Sequence, residues 1–184
     1  MAIDIDDQIR TGLSNLQDDL QSKVSIRKGD VKWVRPDVTH LTLKFLGEIR
    51  DEQVVEVCNI TKDVASRHKR FELDVESVSH FGSRSARVMW IGTGRGSDKL
   101  LQLQEDLEQQ LNLAGWPKDA RKFWAHLTLC RIRNSKAGIT LGQIGRQYQN
   151  YKLGAMPAHE VSAYQSELTP QGPIYTKLGN YPLQ

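Results

Sequence analysis

Long apolar runs are missing from this 184-residue sequence. No stretch approaches the ~20 consecutive apolar residues that a bilayer-crossing helix needs, so a membrane-spanning helix is excluded. A basic segment followed by an apolar one is also missing from the opening, Met1-Ala2-Ile3-Asp4-Ile5-Asp6-Asp7. No signal peptide is therefore expected, and the chain is expected to stay in the cytoplasm. Cysteine is scarce: Cys58 and Cys130 lie far apart in apolar segments and read as two buried thiols rather than a disulfide. Strong charge of either sign is lacking too, with a net charge of +3 and a pI of about 8.9. An anionic ligand is compatible with that balance, but only the placement of the basic residues can argue for one. Aromatic residues make up 7% and form no evident stacking platform, which argues against tight reading of a base sequence. No low-complexity linker interrupts the chain, so a single domain over 1–184 is expected.

The periodicities that are present predict an α+β fold. Ile9, Leu13, Leu16 and Leu20 mark one helix, with Asp6 and Asp7 suited to its start. A second helix is expected over Asp51–Ala65. A third begins near Ser97, carries Leu100, Leu103, Leu107 and Leu111, and stops at Gly115. Strands are expected at Lys32–Val34, Thr39–Leu46, Phe71–Val78, Arg87–Ile91, Phe123–Ile132, Val161–Leu168 and Ile174–Leu178, with Thr169-Pro170-Gln171-Gly172 as a turn. Mixed rather than alternating helices and strands point to largely antiparallel sheets. Residues 133–155, weak in periodicity and rich in glycine, read as a loop or insertion.

One feature rises above this background. Thr39-His40-Leu41-Thr42-Leu43-Lys44-Phe45 recurs as Ala125-His126-Leu127-Thr128-Leu129-Cys130-Arg131, nearly half the chain away. Two of only five histidines fall at matched places in the two copies. A repeat of this kind suggests duplicated lobes related by a pseudo-twofold axis. Period-two alternation puts His40 and Thr42 on one face and Leu41 and Leu43 on the other, and likewise His126 and Thr128 against Leu127 and Leu129. Each strand then buries a leucine stripe and offers an imidazole beside a hydroxyl. A single His-x-Thr on a strand is usually a histidine making one hydrogen bond; two matched copies are hard to dismiss as chance.

Two histidines across a groove suit phosphoester chemistry through a 2′,3′-cyclic phosphate: one imidazole deprotonates water and the other protonates the leaving ribose oxygen. The threonine hydroxyls can donate to the non-bridging oxygens. The remaining histidines, His68, His80 and His159, have no repeated partner and no metal-ligand spacing, so no cofactor or metal is expected. Lys44, Arg84, Arg87, Arg121, Lys122, Arg131 and Arg133 are candidates to guide a phosphate backbone, and Arg95 in the Gly-rich Gly92–Gly96 connection is another.

The sequence resembles the 2H phosphoesterase superfamily and, within it, the RNA 2′,3′-cyclic 3′-phosphodiesterases, also named 2′-5′ RNA ligases. The resemblance runs through Val31-Lys32-Trp33-Val34, His40–Glu48, Arg87–Gly92, His126–Arg131 and the closing Ser166-Glu167-Leu168 with Tyr175. It implies a bilobal fold with an active-site cleft between two sheets, helices on the outside, and a metal-free enzyme acting as a monomer. Its substrates would be RNA ends or nucleotides carrying a 2′,3′-cyclic phosphate, opened to a 2′-phosphate. It also implies His40 as proton donor to the leaving oxygen, His126 as the acceptor that activates water, and Thr42 and Thr128 as phosphate holders. Arg131 stands where the family often has a substrate-binding arginine, but strict alternation turns it away from His126, so a bulge or strand end is required. Phe45, its counterpart in the first copy, reads as a base-stacking side chain or as an ordinary core residue. Members of the superfamily usually open with an arginine and a phenylalanine in a first strand that is short or cut back here. Rival readings are 2′-5′ ligation by the same site, a non-catalytic RNA-end binding module, and a small cyclic nucleotide or sugar phosphate as substrate.

Overall fold

The computed structural model describes residues 1–169 and 172–184, so Pro170 and Gln171 of the expected turn lie outside the described residues. Nine strands and four helices are found among them. The first sheet holds β3 (His40–Thr42), β1 (Ala2–Asp4), β8 (Glu160–Thr169) and β9 (Gly172–Pro182), in that order. The second holds β2 (Val31–Trp33), β6 (Leu127–Ile132), β5 (Val88–Thr93), β4 (Phe71–Phe81) and β7 (Lys152–Ala158). All the pairings are antiparallel. Apart from β2 on the rim, the two orders correspond: β3 and β6, which overlap the two His-Leu-Thr-Leu copies, each lie beside a strand that begins its own half of the chain, β1 and β5.

The helices form where apolar spacing and capping agree. In α1 (Asp7–Ser22) the Asp6 carboxylate accepts from the Ile9 amide at 2.8 Å, and Ile9, Leu13, Leu16 and Leu20 are buried. The second helix, α2 (Asp51–Ala65), packs on β8 and β9 of the first sheet. The third, α3 (Ser97–Leu113), buries Leu100, Leu103, Leu107 and Leu111 and ends at Gly115, whose φ of 99° is left-handed. One apolar cluster joins the leucines of α1 and α3 to Leu41, Leu43, Leu127 and Leu129 of the repeated strands. Cys58 and Cys130 are both free thiols, Cys130 buried and Cys58 only partly so. No described helix is long and apolar enough to cross a membrane.

Residues 133–155 are not a loop. They form α4 (Ser135–Gly145), capped by the Asn134 side chain, and the start of β7. The glycines that hid this helix are what let it dock. A Cβ on Gly138 would stand 2.2 Å from Ser85 Oγ, one on Gly142 3.3 Å from His80 Nε2, and one on Gly145 3.0 Å from Met89 Cε. Close approach to β4 and β5 outweighs the roughly 1 kcal/mol that each glycine costs a helix interior. Other boundaries are shorter than expected, since β3 stops at Thr42 and β6 starts only at Leu127.

Lys44 is not a surface cation available to a backbone. Its side chain is 3% exposed, with Nζ 2.8 Å from Glu108 Oε1, 3.5 Å from Asp119 Oδ2 and 2.9 Å from the Pro117 carbonyl. Removing one partner of a buried pair is costly because the remaining charge loses its compensation. Glu108→Gln is expected to lower stability by ~2–3 kcal/mol, less than a full loss because Asp119 stays. A urea titration checks this, and a fall below ~1 kcal/mol would show the pair to be dispensable.

Candidate active site

The leucine stripes set the histidines. Along the first copy, Leu41 and Leu43 are buried, Thr42 is exposed and His40 is partly buried; along the second, Leu127 and Leu129 are buried while His126 and Thr128 are partly exposed. Both copies then break alternation at the same point. Lys44 and Cys130 turn inward directly after a buried leucine, and Phe45 and Arg131 emerge. In the second copy the β5–β6 register jumps between Met89↔Cys130 and Trp90↔Thr128, leaving Leu129 as the extra residue of a bulge. In the first, the Leu43 and Lys44 amides both donate to the Met1 carbonyl, at 2.9 and 3.3 Å, two residues against one. The second bulge is pinned by Gln17 of α1, 6% exposed, whose Nε2 donates to the Leu129 carbonyl at 3.0 Å and the Val34 carbonyl at 2.8 Å.

This irregularity sets the exposure of two side chains. Arg131 lies on the exposed side of β6, and its charge is felt at His126. Phe45 is 73% exposed, which excludes the core reading.

Each imidazole lodges between two aromatic rings of its own sheet. His40 stacks on Tyr164, with ring centroids 5.3 Å apart and planes 9° from parallel, and meets Tyr175 edge-on at 4.8 Å. His126 meets Phe81 edge-on at 5.2 Å and Trp90 at 5.9 Å. Burial beside these rings lowers both imidazole pKa values from 6.5. At His40 the positive amino terminus adds to the lowering and Asp4 opposes it. At His126 the Trp124 carbonyl opposes it and Arg131 adds to it. His126 Nδ1 lies 2.6 Å from the Trp124 carbonyl oxygen. A carbonyl only accepts, so Nδ1 carries the proton and Nε2 keeps its lone pair in the neutral ring.

The aromatic neighbours and Asp4 were not foreseen. Asp4 pairs with His40 in the β1–β3 register. Its one sequence signal is a carboxylate in the otherwise apolar run Ala2-Ile3-Asp4-Ile5. The rings come from strands distant in sequence and had no signal.

The other candidates separate by their contacts. Arg95 pairs with Asp74 at 3.0 Å, and His68 with Asp106 at 3.0 Å. His80 packs beneath Gly142 of α4. Lys122 lies over the Trp124 ring, which is 55% exposed. Arg84, Arg87 and Arg133 line one polar pocket of about 520 Å³ together with Ser83, Ser85, Asn134 and Ser135. No carboxylate lines that pocket, and these arginines form no ion pair among the described residues. Among the described residues no three His, Cys, Asp or Glu side chains gather as a metal-ligand set.

The chain is similar to known proteins in sequence and fold. The sequence profile described as "LigT like Phosphoesterase" matches residues 3–90 and again 91–175, so each matched stretch contains one His-Leu-Thr-Leu copy. The chain is 31% identical to an RNA 2′,3′-cyclic phosphodiesterase of Methanothermobacter thermautotrophicus, over 97% of this chain and 94% of that one. It is 33% identical to one of Archaeoglobus fulgidus, over 97% and 96%. E. coli LigT complexed with 3′-AMP superposes with a TM-score of 0.78 at 25% identity, covering 99% of this chain and 95% of that one. A Thermus thermophilus structure shares the fold with a TM-score of 0.80 at 24% identity, covering 99% and 95%.

The hydrogen bond at His126 makes a direct prediction. Long-range ¹⁵N–¹H spectra of the neutral ring are expected to show Nδ1 protonated and Nε2 bare; the opposite pattern would remove the lone pair from the exposed side.

Proposed function

The chain belongs to the LigT-like phosphoesterase family, and we propose that it opens 2′,3′-cyclic phosphates at RNA ends to 2′-phosphates, with His40 as acid and His126 as base and without a metal ion. The observation that carries this reading is the duplicated strand, which sets an imidazole, a hydroxyl and a further exposed side chain on one face of each sheet.

In the proposed reaction His126 Nε2 takes a proton from water as the water oxygen bonds to phosphorus. The bond from phosphorus to the 3′ oxygen breaks, and His40 gives its proton to that oxygen. The Trp124 carbonyl holds the His126 tautomer that this requires. Thr42 and Thr128 donate to the non-bridging oxygens, and the Arg131 guanidinium offsets their charge. Exposed Phe45 would stack on a base, and Arg84, Arg87 and Arg133 would offer a carboxylate-free pocket to a neighbouring phosphate. Asp4 is a carboxylate that can support an imidazolium at His40 against burial and the amino terminus, while at His126 Arg131 acts with burial against one and the Trp124 carbonyl favours it.

Three outcomes test this. His40→Ala and His126→Ala are each expected to lose on the order of a hundred- to ten-thousandfold in kcat on an oligonucleotide ending in a 2′,3′-cyclic phosphate, with an unchanged fold by circular dichroism. Retained turnover in either variant overturns the two-histidine mechanism, and ligated RNA as the sole product overturns hydrolysis.

For pH, the base must be neutral and the acid protonated, so rate falls at low pH through His126 and at high pH through His40. The kcat/KM bell is centred on the mean of two values that are both lowered from 6.5, so its maximum is expected on the acid side of 6.5. A bound phosphate anion favours both imidazolium forms and moves the kcat optimum upward. A kcat/KM maximum above pH ~7.5 would contradict this. Turnover in excess chelator is expected to equal that without it, and its loss would rule out a metal-free site.

A further inference from the structure

His40 and His126 stand at equivalent places in the repeat, but their cross-strand neighbours differ. Asp4 of β1 is paired directly across from His40. On the other sheet the paired register ends at Ile91↔Leu127, and the next residue of β5, opposite the position of His126, is Gly92, which has no side chain. The first copy has a carboxylate where the second has none.

That carboxylate is heavily supported. Tyr164 OH donates to Asp4 Oδ1 at 2.6 Å; Ser162 Oγ donates to Oδ2 at 2.9 Å, and Lys177 Nζ to Oδ2 at 2.7 Å. The side chain of Asp4 is 29% exposed. Tyr164, fixed through its hydroxyl, is the ring that stacks on His40, while Lys177 Nζ lies 5.5 Å from the centre of that ring. These donors come from β8 and β9, so the network crosses three strands of the sheet.

We infer that Asp4 is a positioning residue for His40: it holds the Tyr164 ring against the imidazole and sets a counter-charge directly across the strand pair from the ring that acts as acid. The inference rests on the proposed role of His40 as general acid. The groups facing His40 are Asp4 from β1, Tyr164 from β8, Tyr175 and the Asp4-paired Lys177 from β9, and the amino terminus at Met1. Burial lowers the amino terminus to about 6; where it is charged it adds to the lowering of His40, and Asp4 is the group that opposes both. Burial alone would leave His40 short of its proton at neutral pH, and the carboxylate counters that.

The test is a histidine NMR titration of isotope-labelled protein, with the His40 signal assigned by its loss in His40→Ala, run beside kcat/KM profiles. Asp4→Asn is expected to move the His40 midpoint to lower pH and bring the high-pH limb of the profile with it. That gives a loss of roughly three- to tenfold at pH 8 that fades towards none at pH 5. Lys177→Gln frees the carboxylate from its cation and is expected to move both in the opposite direction. A purely structural pin across β1, β8 and β9 would move neither midpoint. An unmoved His40 in Asp4→Asn, or a Lys177→Gln shift to lower pH, overturns the inference. If Asp4→Asn does not fold, Lys177→Gln decides alone, because that side chain is 38% exposed. Full activity in His40→Ala would overturn the acid role itself, and the titration would still report whether Asp4 governs the ring.

Discussion

The two leucines on either side of each threonine anchor this structure. Leu41, Leu43, Leu127 and Leu129 are all at most 2% exposed and sit in one apolar cluster. Burying each contributes on the order of 2 kcal/mol, and a one-residue slip would exchange those leucines for a histidine and a threonine. The burial that stabilises the sheets therefore also fixes which face each imidazole occupies. The helices complete the arrangement: α4 lies close enough on β4 and β5 to need three glycines, and Gln17 of α1 reaches through the core to hold the carbonyl of the bulge residue.

On this symmetric frame the electrostatics are asymmetric. Both rings sit among aromatic side chains and are pushed toward the neutral form by burial. At His40 the amino terminus reinforces that push and a carboxylate opposes it; at His126 a backbone carbonyl opposes it and a guanidinium reinforces it. Duplication supplies two similar imidazoles, and single substitutions beside each give them different surroundings.

How much was readable in advance follows the range of each interaction. The repeated strands, α1 to α3 and the partition of leucine from histidine depend on neighbours one to four residues away, and periodicity carries that information. The condition on Arg131 was also readable, because alternation states what a strand does unless it is interrupted. The α4 helix was missed because its glycines look like loop residues until β4 and β5 are known to lie against them. Lys44 was misjudged because its partners, Glu108 and Asp119, come from a distant helix and the loop after it. The rings around the histidines come from four other strands, and no local pattern points to them.

The paired bulges also bear on how such a protein can diverge. Each hands the outer face a second side chain a few residues past the histidine, Phe45 in one copy and Arg131 in the other, on backbone held by the chain's own amides and carbonyls. Those two positions are free of the packing demands that bind the leucines and of the geometry that binds the imidazoles. Substitution there leaves the leucine stripe and the imidazole's surroundings untouched, so each copy can change the chemistry of its outer face without a change of fold.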